Sequence, residues 1–157
     1  MNSRSVLSLR AKTVIGVLCL KHYCTRLDEH HWEIERFCDY LLSLAQAKDI
    51  PAWDQASCHL ALDGMGSPIP EAIVHIPKIN EITCSLREIT ASQIYGAGRP
   101  DQASRFLQDV AHLCGVDLSR HVNWPLFLQD SGHLSPWGDV VPPDLYMKWM
   151  TEGMTTA

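Results

Sequence analysis

The chain has 157 residues, 46% of them hydrophobic and 20% charged, with a formal net charge of −5. That is enough apolar material for one globular core, and it excludes a disordered chain. Residues 1–27 carry five Lys or Arg and no acid, which leaves eight bases against eighteen acids, or −10, in the remaining 130; an acidic body of this kind disfavours nucleic acid and favours a basic protein partner.

In chain order, Ser3 or Ser5 caps a first helix that runs to about Thr25. Its segment Thr13 to Leu20 is apolar on every side, so this helix has to be buried. Burying Val14, Ile15, Val17, Leu18, Cys19 and Leu20 contributes roughly 10 kcal/mol before ordering costs are subtracted. Arg4, Arg10 and Lys12 ahead of the apolar run imitate a signal peptide, yet the run is short, ends in Lys21 and lacks a small-x-small cleavage site. Leu18 stands where a lipoprotein signal ending at Cys19 needs a small residue. No other apolar run approaches the roughly 18 to 20 residues that span a membrane. The expectation is an unexported, cytoplasmic protein.

Asp28 opens a second helix in which Ile34, Phe37, Cys38, Leu41, Leu44 and Ala45 form one apolar stripe, opposite Glu35, Arg36, Asp39, Ser43 and Gln46. The short connection predicts an antiparallel hairpin. Asp49 and Pro51 start a short helix that turns Trp53, Ala56 and Leu60 inward and stops at Gly64-Met65-Gly66. Ser67 to Pro77, with three prolines, reads either as one short helix begun by Pro70, the preferred reading, or as a single extended piece. From Lys78, the residues Ile79, Ile82, Leu86, Ile89 and Ile94 follow one face, and Gly96 and Gly98 end the helix through positive φ. Pro100 and Asp101 start its partner, whose stripe of Ala103, Phe106, Leu107, Val110, Leu113 and Cys114 closes at Gly115. A turn or two of helix covers Leu118 to Gln129, interrupted at Pro125. Residues 130–143 form a loop and Asp144 to Thr151 a last helix, with Leu145 and Trp149 on the body. The fold class is therefore all-α: residues 1–157 make a single domain of about six or seven helices around a buried N-terminal helix, with an irregular C-terminal segment.

Six Cys could suggest disulfides, but at least four fall at core-like helical positions, where a free thiol behaves as a small hydrophobe. Eight His invite a metal site. The pairs with ligand spacing are His31 with Glu35 and His59 with Asp63, while CxxC, HxxxH and HExxH are missing. His22/Cys24 and His112/Cys114, two apart, point to opposite sides of a helix. Cys58-His59 is the one adjacent Cys/His pair near a loop, and it has no further support as a nucleophile and base. Gly96-Ala97-Gly98-Arg99 precedes a helix, as some phosphate sites do, but it follows a helix and not a strand, so it reads as a hairpin turn. These patterns predict no catalytic residue, no metal and no cofactor.

Two surfaces stand out as partner-binding candidates. Glu35 and Asp39, one turn apart, carry a mutual repulsion that Arg36 can relieve internally, or that a basic partner can relieve together with Asp28, Glu29 and Glu33. The other is the loop carrying Asp130, Trp137 and Asp139, because Trp is enriched among residues that dominate interfaces; Trp is equally the residue a loop uses to pin itself to a core.

The buried first helix ends in His22-Tyr23-Cys24, a short helix starts Pro51-Ala52-Trp53, a long one finishes Ile94-Tyr95-Gly96-Ala97, and a Trp137-Gly138 loop lies near the end. In this layout the chain resembles the small all-helical immunity proteins of bacterial toxin systems. The likeness carries no functional residue with it. It implies a cytoplasmic, non-enzymatic protein that neutralises a cognate toxin by direct binding, and the acidic body suits a basic toxin domain. The competing classes are a small metal- or thiol-dependent enzyme with a His/Cys/acid site, and a helical scaffold or oligomer.

Overall fold

The segment Thr13 to Leu20 is buried at every position, as its all-round apolar character requires. The computed structural model describes residues 5–96, 100–130 and 135–155, with the backbone alone for 5, 6, 100, 129 and 130. A two-residue strand β1 (Ser5–Val6) precedes helix α1 (Leu9–Leu27). The helix starts later than Ser3 or Ser5 because Ser5 and Val6 are extended and pair antiparallel with Asp130 and Gln129. Ser8 is the cap instead, its Oγ accepting from the Ala11 N–H at 3.1 Å. At the other end Asp28 takes the left-handed conformation at φ 55°, so that the Asp28 N–H reaches the Thr25 carbonyl and the Glu29 N–H the Cys24 carbonyl.

Helix α2 (Trp32–Leu42) buries Ile34, Phe37, Cys38 and Leu41, as the stripe predicts, and tightens into a 3-10 turn at Ser43–Gln46. Asp49 caps α3 (Ile50–Gln55) by accepting from the Ala52 N–H, and a 3-10 turn (Ala56–His59) follows. Trp53 is buried, but Ala56 is exposed and Leu60 only half-buried. The expected helix from Pro70 is absent. The chain there makes successive three-residue turns, Ile73 N–H to Pro70, Ile76 N–H to Ile73 and Ile79 N–H to Ile76, which place Ile73, Ile76 and Ile79 inward at a period of three. Pro77, with no N–H to give Ile73, does not extend the segment as α-helix.

Helices α4 (Ile79–Tyr95) and α5 (Pro100–Cys114) form the second hairpin. Gly96 ends α4 in extended conformation, φ −101° and ψ −176°, and not at the positive φ expected; Gly98 lies outside the described residues. Gly115, at φ 70°, does close α5 through the left-handed region. Single turns α6 (Leu118–His121) and α7 (Trp124–Phe127) follow, and Pro125 sits in the first turn of α7, where it starts that helix and interrupts nothing. After β2 (Gln129–Asp130) comes α8 (Pro143–Glu152), pinned by Trp149, whose indole N–H donates to the Leu126 carbonyl at 3.0 Å and whose ring lies 5.0 Å from that of Phe127.

The described residues thus form an all-α bundle of eight α-helices and two 3-10 turns, the single turns α6 and α7 raising the count above six or seven. Helix α1 is the hub: it packs against α2, α4 and α5, and the buried residues form one core. A Cβ at Gly16 would stand 2.5 Å from Leu86 Cδ1, so α1 and α4 meet closely there. All six Cys are free, and Cys19, Cys24, Cys38 and Cys114 are buried. Among the described residues no helix is long and apolar enough to cross a membrane.

Candidate functional site

The left-handed turn at Asp28 sets up the α1–α2 junction. From there the chain runs through His31, extended at φ −135° and ψ 136°, before α2 begins. Asp28 and His30 pair at 3.1 Å, while Glu29 and His31, two residues apart, pair with each other at 2.6 Å. His31 therefore does not use the i, i+4 spacing to Glu35, because it stands before the first helical residue.

The other Glu29 oxygen meets His75 Nε2 at 2.9 Å, across 46 residues of sequence. His75 is carried to this point by the turns that bury Ile73 and Ile76. The imidazoles of His31 and His75 lie edge to face, 5.7 Å apart. Glu29 and His31 are half-buried, His75 is exposed, and the two hydrogen bonds, His31's first, hold the Glu29 carboxyl below the usual carboxylate range. Glu29 and His31 also line a cavity of about 210 Å³ shared with Lys21, Cys24, Ile34 and Cys38. Glu29, His31 and His75 each offer a donor atom within 4.8 Å of the others, the set among the described residues able to hold a metal ion.

Of the proposed acidic face, Asp28, Glu35 and Asp39 are exposed, and Glu29 is occupied by its two histidines. Glu33 does not belong to the face. It is 5% exposed, because it falls on the row Glu33, Phe37, Leu41 that turns inward, and its Oε2 has no hydrogen-bond partner among the described residues. It lies in the first turn of α2, where the helix dipole favours a carboxylate. The exposed side of α2 instead carries Trp32, 59% accessible, in line with Glu35, Arg36 and Asp39 at i+3, i+4 and i+7. Trp32 is the residue that the sequence reading passed over. The signal was its place on the polar side of an otherwise well-sorted helix.

The C-terminal loop is pinned to the body. The Leu9 N–H donates to Pro136 and the Val141 N–H to Ala45. Buried Arg10 donates to the Leu44 carbonyl, to that of Ala47 at 2.8 Å and to that of Gly138 at 3.4 Å. Burial lowers the Arg10 pKa, and the charge of nearby, exposed Asp139 opposes that shift. Trp137 is half-buried against the core. The loop thus uses Trp137 as an anchor and leaves Asp139 exposed; the side chain of Asp130 lies outside the described residues.

A third cluster had no counterpart in the sequence reading. Fully buried Arg87 donates through Nη2 to Asp54 Oδ1 at 2.5 Å and through Nη1 to Thr90 Oγ1 at 2.6 Å. Its guanidinium stands 5.1 Å from the Trp53 ring and 5.6 Å from that of Tyr40, two rings stacked 4.6 Å apart. The Tyr95 hydroxyl donates to the second Asp54 oxygen. Asp54 and Tyr95 edge a cavity of about 450 Å³ that Trp137 closes on one side. Both carboxylate oxygens are engaged and the charges cancel internally, which makes this a structural clamp between α3 and α4.

Fold and surface together define an all-α bundle with one exposed tryptophan on an acidic helix face and a Glu/His trio beside it. No family model, curated protein or solved structure matches the chain.

Proposed function

We propose that this chain is a non-enzymatic binding protein of the bacterial cytoplasm that neutralises a basic toxin domain by docking it on the exposed face of α2. The observation that carries the reading is Trp32, 59% accessible in a helix whose other large apolar side chains are almost all buried. An exposed indole is costly in water and is the side chain most enriched at interface hot spots. Glu35 and Asp39 beside it supply charge for a Lys- or Arg-rich partner and raise its association rate. The −10 balance of residues 28–157 acts in the same direction. The layout shared with helical immunity proteins supports the toxin-neutralising role.

The test is co-expression with the product of the neighbouring open reading frame. The wild-type chain rescues cells from that product. Trp32→Ala weakens binding by about 30-fold or more, the cost of a hot-spot residue, and Glu35→Lys with Asp39→Lys slows association, each with unchanged circular dichroism. Absence of rescue, or rescue and affinity untouched by all three changes, refutes the proposal.

A further inference from the structure

We propose that Glu29, His31 and His75 form a divalent transition-metal site, for zinc in the first instance, which clips the 70–78 turns onto the α1–α2 junction. The donor set is one carboxylate and two imidazoles, borderline ligands that suit zinc and its neighbours over calcium or magnesium. The three residues each offer a donor atom within 4.8 Å of the others, with one Glu29 oxygen 2.6 Å from His31 Nε2 and the other 2.9 Å from His75 Nε2. Zinc bonds of about 2.0–2.2 Å in tetrahedral array need donors roughly 3.3–3.5 Å apart. The imidazoles therefore have to shift by no more than about 1.5 Å to reach that spacing. His75 can do so, because it is exposed and sits on a turn whose anchors are Ile73 and Ile76. The carboxylate now accepts an Nε2–H from each ring; when the ion binds, a neutral ring shifts that proton to Nδ1 through solvent and a charged ring releases it to solvent, so each ring presents its Nε2 lone pair to the ion with the proton on Nδ1.

Three protein ligands leave a fourth position for water or for a group from a partner, and Glu29 and His31 open onto the 210 Å³ cavity. Cys24 lines that cavity and is buried, but it is not among the three residues whose donor atoms converge, so the site is one of oxygen and nitrogen donors. The site also bears on the neighbouring surface. His31 precedes Trp32 and His75 follows Val74, both exposed, so an ion between the two imidazoles fixes these apolar side chains relative to each other. The inference itself does not depend on the docking face.

The experiment titrates the full chain with Zn²⁺ against a chromophoric chelator, and records the visible spectrum with Co²⁺ as a substitute. Wild type binds one equivalent, with cobalt d–d bands and no thiolate charge-transfer band. His75→Ala weakens binding at least about 100-fold, the upper end of what losing a mere supporting residue costs, and Glu29→Gln weakens it in the same way. His75 is exposed, so His75→Ala keeps the fold and its circular dichroism. Cys58→Ser and Trp32→Ala bind zinc like wild type, which separates this site from the docking face. No stoichiometric binding in the wild type, wild-type affinity retained in either ligand variant, or a thiolate band placing the ion on cysteines overturns the proposal.

Discussion

Replacing Asp54 with alanine strands the Arg87 charge in the core. Arg87 has no exposed surface and, among the described residues, its Nε lacks a partner, so once the carboxylate is gone only the neutral Thr90 hydroxyl is left to accept from it. Breaking a buried pair from one side costs about 3–5 kcal/mol, while the Tyr95 hydroxyl, on an exposed residue, turns to water. Set against a total stability of about 5–15 kcal/mol, this is a large fraction. With a urea m-value of about 2 kcal/mol/M, Asp54→Ala lowers the unfolding midpoint by about 2 M. The paired change Asp54→Leu with Arg87→Met removes both charges and refills the volume, and it recovers most of the loss, giving a coupling above about 2 kcal/mol in a double-mutant cycle. Urea unfolding followed by circular dichroism measures all four corners. A midpoint shift below about 0.5 M for Asp54→Ala, or a double variant no better than the single one, refutes the assignment of Arg87 as a buried, carboxylate-dependent cation.

Three further outcomes are expected. Gly64→Ala destabilises by more than about 1 kcal/mol, since Gly64 is at φ +68° and a Cβ would lie 2.6 Å from the Thr83 carbonyl oxygen; an unchanged melting temperature contradicts this. Glu29 has a folded-state pKa below its unfolded value, so its contribution is complete above the ordinary carboxylate range and fades as pH falls through the lowered value. Glu29→Gln should therefore be less stable than wild type at neutral pH and converge with it in acid, and a gap that persists in acid counts against the two hydrogen bonds. Iodoacetamide at mildly alkaline pH should label exposed Cys58 first. Cys19 and Cys38, pushed up to about 12 by burial, and Cys24, pushed up to about 11, should react only after unfolding in urea; peptide mass spectrometry at equal rates for all would refute the burial.

The bundle was legible because its helices are sorted by period. Phe37, Cys38 and Leu41 on α2, and Ala103, Leu107 and Val110 on α5, recur at three and four residues and are buried, and no other arrangement of those spacings hides them all. Thr13 to Leu20 announced a central helix by having no polar side. What escaped was local geometry that depends on distant contacts. The start of α1 moved to Ser8 because β1 pairs with residues more than 120 positions away. The turns at 70–78 follow a period of three, which apolar spacing alone does not separate from a helix when prolines flank it on both sides.

The surface was harder to read for a related reason. A charge on a helix is exposed or buried according to an angular difference of about 100° per residue, so Glu33 and Glu35, two apart, face opposite ways although both follow Trp32 within one turn. Reading acids as a cluster by sequence proximity therefore admitted Glu33 and missed that Trp32 shares the exposed row with Glu35 and Asp39. Ligand spacing failed in the same manner at His31. The i, i+4 rule holds only inside a helix, and His31 is the residue just outside it, extended, where a partner two positions back is the one on its side. His75 carried no signal at all in its own segment. Its role comes from the burial of Ile73 and Ile76, which delivers His75, one of the two residues between them, to Glu29. Period analysis places side chains within an element, whereas a site assembled from a helix C-terminus, a helix cap and an irregular turn is fixed by tertiary anchors, and those are visible only once the core has chosen which apolar residues to bury.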